Sequence, residues 1–260
     1  MKNKKNLAQY FLKNKNIQKR IAETINRTDY KTIVEIGPGC GQITQYLVRT
    51  NKEYIGIELD SKLSSYLITK FPDSKIVNKD FLKLLVEELN TDSKEILLFG
   101  NIPYYISTQI FFKFLELEHF KEAYFTVQKE FFETVNASCN SKQYSSLSVL
   151  FQTFCEIKKL FVIGRLNFFP KPNVDSIFLS LKKKYQPSDQ ALKDYSVFVK
   201  SCFSRPRKVL LNNPIFEELE EEMKESLLEN KLLTKNTRIS ELNPEEILIL
   251  FKTLKELSIL

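Results

Sequence analysis

Short apolar runs alternate along the chain with stretches of helical spacing. Residues 16–27 place Ile17, Ile21, Ala22 and Ile25 on one face, which predicts an amphipathic helix. Thr32–Ile36 reads as a short buried strand, and 42–48 as a helix after a glycine-rich turn. Strand 54–58 precedes a helix that Asp60 or Ser61 can cap and that runs to Lys70. Strand 75–78 leads into a helical stretch from Phe81 to Leu89. A fourth strand, 95–99, is followed by a helix over 107–117, and a fifth, 123–127, by helices over 129–137 and 144–154. Two late apolar runs, 157–163 and 176–181, flank the Pro-rich stretch Phe168–Pro172 without a helix between them.

Strand–helix alternation predicts an α/β fold with a mostly parallel, Rossmann-like sheet. The late pair predicts an antiparallel addition at one side. After Lys184 comes a polar break, Tyr185–Asp189, and from Ala191 only helical patterns remain. The expected division is therefore a larger domain, 1–185, and a small all-α domain, 186–260.

Charge adds a partner class. The chain has 39 Lys+Arg against 32 Asp+Glu, a formal net charge of +7. Residues 1–20 hold Lys2, Lys4, Lys5, Lys13, Lys15, Lys19 and Arg20 with no acid. Further clusters are Lys182–Lys184 and Arg205-Pro206-Arg207-Lys208, and 217–225 is acidic. Local basic clusters on a basic chain are the footprint of a polyanion binder. The single His119 excludes a multi-His zinc site, and Cys40, Cys139, Cys155 and Cys202 form no C-x-x-C pair, so no metal is expected. Free thiols, no signal-peptide pattern at the N-terminus and no apolar run of roughly 18 residues lead us to expect a cytoplasmic protein off the membrane.

The candidate chemistry sits at the carboxyl ends of the first four strands. Gly37-Pro38-Gly39-Cys40-Gly41 lies between strand and helix, where glycine lets the backbone turn tightly and approach a ligand. The second strand ends at Glu58, placed as an acid that reaches ribose hydroxyls in doubly wound sheets. The third ends at Asp80, which can accept from an adenine amino group. Either acid can also serve simply as a helix cap. The fourth strand runs into Asn101-Ile102-Pro103-Tyr104. An aromatic amine delocalises its lone pair into the ring and is a poor nucleophile. Two acceptors aimed at its hydrogens, the Asn101 side-chain oxygen and the Ile102 carbonyl, would turn the lone pair outward. Pro103 stiffens the turn, and Tyr104 can stack on a flipped base.

Gly100-Asn-Ile-Pro-Tyr-Tyr-Ile-Ser-Thr108 resembles motif IV of the rRNA adenine N6-dimethyltransferases, and Glu35-Ile-Gly-Pro-Gly39 their motif I. Gln128-Lys-Glu130, Tyr144–Gln152, Phe168–Ser176 and Phe203–Leu210 are similar to the KsgA branch, which modifies small-subunit rRNA. The resemblance implies a class I methyltransferase that uses S-adenosyl-L-methionine. It implies transfer to N6 of two adjacent adenosines near the 3' end of small-subunit rRNA, a role in ribosome biogenesis and a monomeric state. It also assigns residues. Ala8-Gln9-Tyr10-Phe11-Leu12 matches a segment whose third and fifth positions contact the cofactor, here Tyr10 and Leu12. Gly37, with Gly39 beside it in motif I, would approach the methionine moiety. Glu58 would hold the ribose, Asp80 the adenine, and Asn101 both methionine and target amine. Tyr104 and Phe168 would sandwich the target base.

Three departures stand out. Tyr10 replaces the usual Asn, Cys40-Gly41-Gln42 varies within motif I, and Pro206 stands where the family has Gln-Arg. Two alternatives share much of the pattern: the erythromycin-resistance branch, which methylates large-subunit rRNA, and a non-catalytic nucleic-acid-binding relative.

Overall fold

The computed structural model describes residues 10–217, 224, 225, 227, 228 and 233–257. Lys2, Lys4, Lys5, Ala8, Gln9 and most of the acidic stretch, residues 218–223, lie outside the described residues. By compactness the chain falls into two units. The first runs up to Lys129 and resumes over Lys158–Lys183; the second comprises Glu130–Ile157 and the chain from Lys184 on. The polar break after Lys184 thus coincides with a unit edge. The two helices before it, read as part of the larger domain, group with the C-terminal helices instead.

The first unit is built on a seven-stranded sheet. Its strands are β2 (Thr32–Ile36), β3 (Glu53–Glu58), β4 (Lys75–Asn78), β5 (Ile96–Asn101), β6 (Phe120–Gln128), β7 (Cys155–Ile163) and β9 (Ser176–Lys183), in the order β4-β3-β2-β5-β6-β9-β7. The pairs from β4 to β6 are parallel, and β9 adds to β6 antiparallel. The order reverses between β2 and β5, the switch point at which ligands bind in open α/β sheets.

Both sheet faces are covered, so the central strands β2 and β5 are buried along nearly their whole length. Helix α1 (Lys15–Asn26) buries Ile21, Ala22 and Ile25 in one cluster with Ile33, Leu97, Phe99 and Phe178. Asn14 caps that helix by accepting from the Asn16 and Ile17 amides. Against the other face, α4 (Ser107–Glu116) brings Phe111 to 5.2 Å from Phe125, ring centre to ring centre. Lys183, one of the three clustered lysines, turns inward: its ammonium donates to the Leu115 and Leu117 carbonyls at the end of α4.

Three local outcomes differ from the sequence expectation. Phe81–Leu89 forms two short 3-10 turns, 81–83 and 86–89, with Leu84 extended between them. Phe81, Leu84 and Leu89 are all buried, and the chain is extended at Leu84 and Leu85 between the two turns. The strand expected at 95–99 continues through Gly100 and Asn101, because β6 is long enough to pair Asn101 with Thr126. Finally, the N-terminal segment forms a strand, β1 (Phe11–Leu12). It pairs antiparallel with β8 (Phe168–Phe169) from the Pro-rich connection. Lys13 N donates to the Asn167 carbonyl at 2.8 Å, and Gln18 Nε2 to the Leu12 carbonyl at 2.6 Å, which fix this ribbon to α1.

The second unit is helical in its described residues apart from the start of β7. In α6 (Ser146–Phe154), Ser148 and Gln152 satisfy carbonyls at the end of α5 (Lys129–Val135), the Thr134, Val135 and Ala137 oxygens, at 2.6–2.9 Å. Tyr195 and Phe198 of α7 (Asp189–Cys202) meet Phe251 of the last described helix, Pro244–Glu256, at 5.2 and 5.3 Å. Among the described residues no helix is long and apolar enough to cross a membrane.

Phe99 is fully buried on the central strand β5. Phe99→Ala is expected to destabilise the protein by about 3–5 kcal/mol. Urea unfolding checks this, and a loss below about 1 kcal/mol would show that the α1 face of the sheet is not the main core.

Candidate active site

The carboxyl ends of β2 and β5 and the start of β1 enclose a cleft of about 660 Å³, open solvent included. Tyr10, Leu12, Gly37, Gly39, Asn101, Ile102, Pro103 and Tyr104 line it, eight of the eleven candidates from the sequence; Glu58, Asp80 and Phe168 do not. Phe11, Glu35, Pro38, Gln42 and Ile43 complete the wall.

The glycine loop has the conformation its residues suggest. Gly37 and Gly39 both sit at φ +62, a region that L side chains rarely adopt. A Cβ on Gly37 would meet nothing within 4 Å, so open space adjoins the main chain there, where a bound methionine moiety can come close. A Cβ on Gly39 would lie 3.1 Å from the Phe11 ring. The Gly39 amide donates to Glu58 Oε2 at 2.9 Å, and the Asp60 amide to Glu58 Oε1 at 3.0 Å. Glu58 is thus a buried carboxylate held by two backbone donors, with lone pairs left over for hydroxyls.

Asp60 caps α3 (Ser61–Lys70), accepting from the Lys62 and Leu63 amides. Asp80 is half-buried, and its Oδ1 accepts from the Leu82 amide at 3.0 Å. Neither Glu58 nor Asp80 lines the cleft: Glu58 ends β3, and Asp80 follows the end of the adjacent strand β4 by two residues. The Tyr105 hydroxyl has its pKa raised by burial first and by the Asp80 carboxylate second, which relates Asp80 to the segment after Asn101. An open loop, a buried hydroxyl acceptor and a second acid beyond it fit S-adenosylmethionine.

The second half of the site is the turn Asn101–Tyr104. Asn101 Nδ2 donates to the Tyr10 carbonyl at 2.9 Å, so Oδ1 is the amide atom left to accept. The Ile102 amide donates to the Thr126 carbonyl at 3.2 Å, which ties this turn to β6. Tyr104 shares a hydrogen bond with Ser176 at 2.8 Å, and burial raises its hydroxyl pKa. Tyr10, expected to touch the cofactor, has its ring 5.2 Å from that of Tyr104, at 31°.

Phe168 requires a correction. It is 1% exposed and packs in the core with Leu12, its partner across the β1–β8 ribbon, so neither ring face is open to a base. Its neighbour Phe169 is 69% exposed and pairs with Phe11, which lines the cleft. Strand alternation sends these two phenylalanines to opposite faces.

These motifs match a known family across nearly the whole chain: a model of ribosomal RNA adenine dimethylases covers residues 1–256. The chain belongs to that family. The small subunit ribosomal RNA methyltransferase A of Malacoplasma penetrans is 35% identical over 207 residues, 80% of this chain and 76% of that protein. A dimethyladenosine transferase from Plasmodium falciparum has the same fold, with a TM-score of 0.76 over 95% of this chain and 98% of that one at 24% identity. The 23S rRNA methyltransferase ErmE is similar at a TM-score of 0.70 and 26% identity, covering 94% of this chain and 99% of that one. Dependence on S-adenosylmethionine, expected from the family resemblance, comes with the family.

Glu35 is the lining residue the sequence signalled least: an acid inside the apolar run Thr32–Ile36. It is buried, and its Oε2 accepts from Thr44 Oγ1 at 2.7 Å and Tyr54 OH at 2.6 Å. Burial pushes its pKa up to about 7 despite those two donors. The folded state therefore holds this proton more tightly than the unfolded chain. Its contribution to stability is complete below the ordinary carboxylate value of 4.5 and is lost as pH rises toward 7. Glu35→Gln keeps an acceptor for both hydroxyls and removes the titration. Its stability relative to wild type is expected to rise by about 3 kcal/mol across that window, as read by urea unfolding against pH. Parallel curves for the two proteins would contradict the buried, protonated state.

Proposed function

We propose that the chain transfers methyl groups from S-adenosylmethionine to N6 of two adjacent adenosines near the 3' end of small-subunit rRNA. The product is N6,N6-dimethyladenosine, and the modification belongs to small-subunit biogenesis. The observation that carries the chemical reading is the hydrogen bond from Asn101 Nδ2 to the Tyr10 carbonyl. It commits the donor side of the amide and leaves Oδ1 to accept from an amino group.

Gly37, Gly39 and Leu12 border the methionine end of the cofactor, Glu58 holds its ribose and Asp80 its adenine. When bound, it supplies an electrophilic methyl group on a positively charged sulfonium. Asn101 Oδ1 and the Ile102 carbonyl accept the two hydrogens of the target amine and aim its lone pair. Pro103 holds the turn between them, and Tyr104 stacks on the flipped base. Most of the rate comes from this positioning, and no strong base is needed, because the amine becomes acidic once alkylated. The alkylated amine releases a proton, and the monomethylated base, with one hydrogen left for one of the two acceptors, rebinds or re-orients and takes a second methyl.

The surface beside the site suits an RNA backbone. Exposed Lys13 and Arg165 flank the Lys13–Asn167 bond, and exposed Lys19 and Arg20 follow on α1, where the Arg20 guanidinium lies 4.0 Å from the Phe161 ring centre. Such cations position a nucleic acid without reading its sequence. Small-subunit specificity rests on the name of the Malacoplasma relative and on the Tyr144–Gln152 and Phe203–Leu210 segments. Action as a monomer in the cytoplasm completes this reading.

The test is methyl transfer from labelled S-adenosylmethionine to unmethylated small and large ribosomal subunits side by side, with nucleoside mass spectrometry. Dimethyladenosine in small-subunit RNA alone is the expected result. Label in large-subunit RNA alone would move the chain to the resistance branch, and label in neither would favour a non-catalytic RNA-binding role.

A further inference from the structure

Tyr10 makes two contacts in the cleft, and both are with residues assigned to the target base. Its carbonyl accepts from Asn101 Nδ2 at 2.9 Å, and its ring lies 5.2 Å from that of Tyr104 at an angle of 31°. That separation is within the range of aromatic stacking pairs. Tyr10 and Tyr104 both line the cleft. We propose that Tyr10 is a specificity-determining residue: its ring occupies the stacking place of the target adenine on Tyr104 and closes that place to free adenine nucleotides. The proposal rests on the reading of Tyr104 as the residue that stacks on the base.

The two rings are held unequally. Tyr104 is fixed at its rim by the hydrogen bond to Ser176, which is fully buried on β9. Tyr10 is half-buried and lies one residue before β1, so its side chain can turn away while the Phe11–Phe169 and Leu12–Phe168 pairs stay formed. Tyr10 is therefore the ring that yields. A free nucleotide offers only its own stacking energy in exchange for the displaced tyrosine, and the two are of similar size. An adenosine within an RNA brings phosphate contacts elsewhere as well and can displace the ring. The bond that orients Asn101 is made by the backbone carbonyl of residue 10, which any residue supplies, so the tyrosine side chain is left for another task.

The experiment uses the full chain, saturating S-adenosylmethionine, unmethylated small ribosomal subunits and adenosine 5'-monophosphate as the competing probe. In Tyr10→Ala the nucleotide is expected to inhibit with a Ki about 2- to 10-fold lower than in wild type, the range one aromatic pair covers, and in competition with the subunits. Tyr10→Phe keeps the ring and is expected to keep the wild-type Ki. Tyr10→Leu serves if Tyr10→Ala fails to bind cofactor, and is expected to behave as Tyr10→Ala should. An equal or higher Ki on removal of the ring, or no inhibition of any variant, would overturn the proposal. Tyr104→Ala separates the two readings: a lowered kcat with cofactor affinity largely kept supports the stacking role, and an unchanged kcat would overturn that role and the proposal together.

Discussion

The carboxamide of Asn101 is held from two directions, and the site depends on that. Its main chain is the last residue of β5, paired with Thr126 of β6, and its side chain is tied to the Tyr10 carbonyl. An aromatic amine needs acceptors at defined positions before its lone pair can attack. A side chain on a free loop would lose much of that effect through motion. Extending β5 by two residues past the apolar run places the acceptor on the sheet itself.

The remaining groups follow from parallel strand order. β2, β3, β4 and β5 all point their carboxyl ends the same way, so the glycine loop, Glu58, Asp80 and Asn101 gather along one edge although they are 64 residues apart from Gly37 to Asn101. The β1–β8 ribbon closes that edge and brings Tyr10, Phe11 and Leu12 against it. Glu35 lines the same cleft, bonded to Thr44 and Tyr54, and burial pushes its pKa up to about 7. Its carboxyl oxygen satisfies two buried hydroxyls, Thr44 and Tyr54.

The strands of the sheet were legible because each is a short apolar run bounded by turn residues, and their buried faces confirm the pattern. The glycine loop and the Asn101–Tyr104 turn were legible because their chemistry is local. Long-range pairing was not: nothing in Phe11-Leu12 signals a two-residue strand whose partner is 156 residues away at Phe168. That same pairing decides which of two adjacent phenylalanines is buried, so Phe168 read as an open ring when only Phe169 is one. Phe81–Leu89 has the apolar spacing of a helix, and nothing in that spacing marks Leu84 and Leu85 as the extended residues that split it into two turns. The grouping of the 129–154 helices with the C-terminal helices depends on contacts such as Tyr144 OH to the Leu242 carbonyl at 2.9 Å, which no local pattern announces.

The central claim is that Asn101 acts on the reacting amine and not merely on the fold or the cofactor. Single-turnover methyl transfer by Asn101→Ala, loaded with S-adenosylmethionine and mixed with unmethylated small subunits, tests it most directly. Loss of one preorganised hydrogen-bonding group is expected to slow transfer on the order of 100-fold or more, with cofactor affinity only partly weakened. Transfer at a near wild-type rate by a variant that still binds the cofactor would contradict the account.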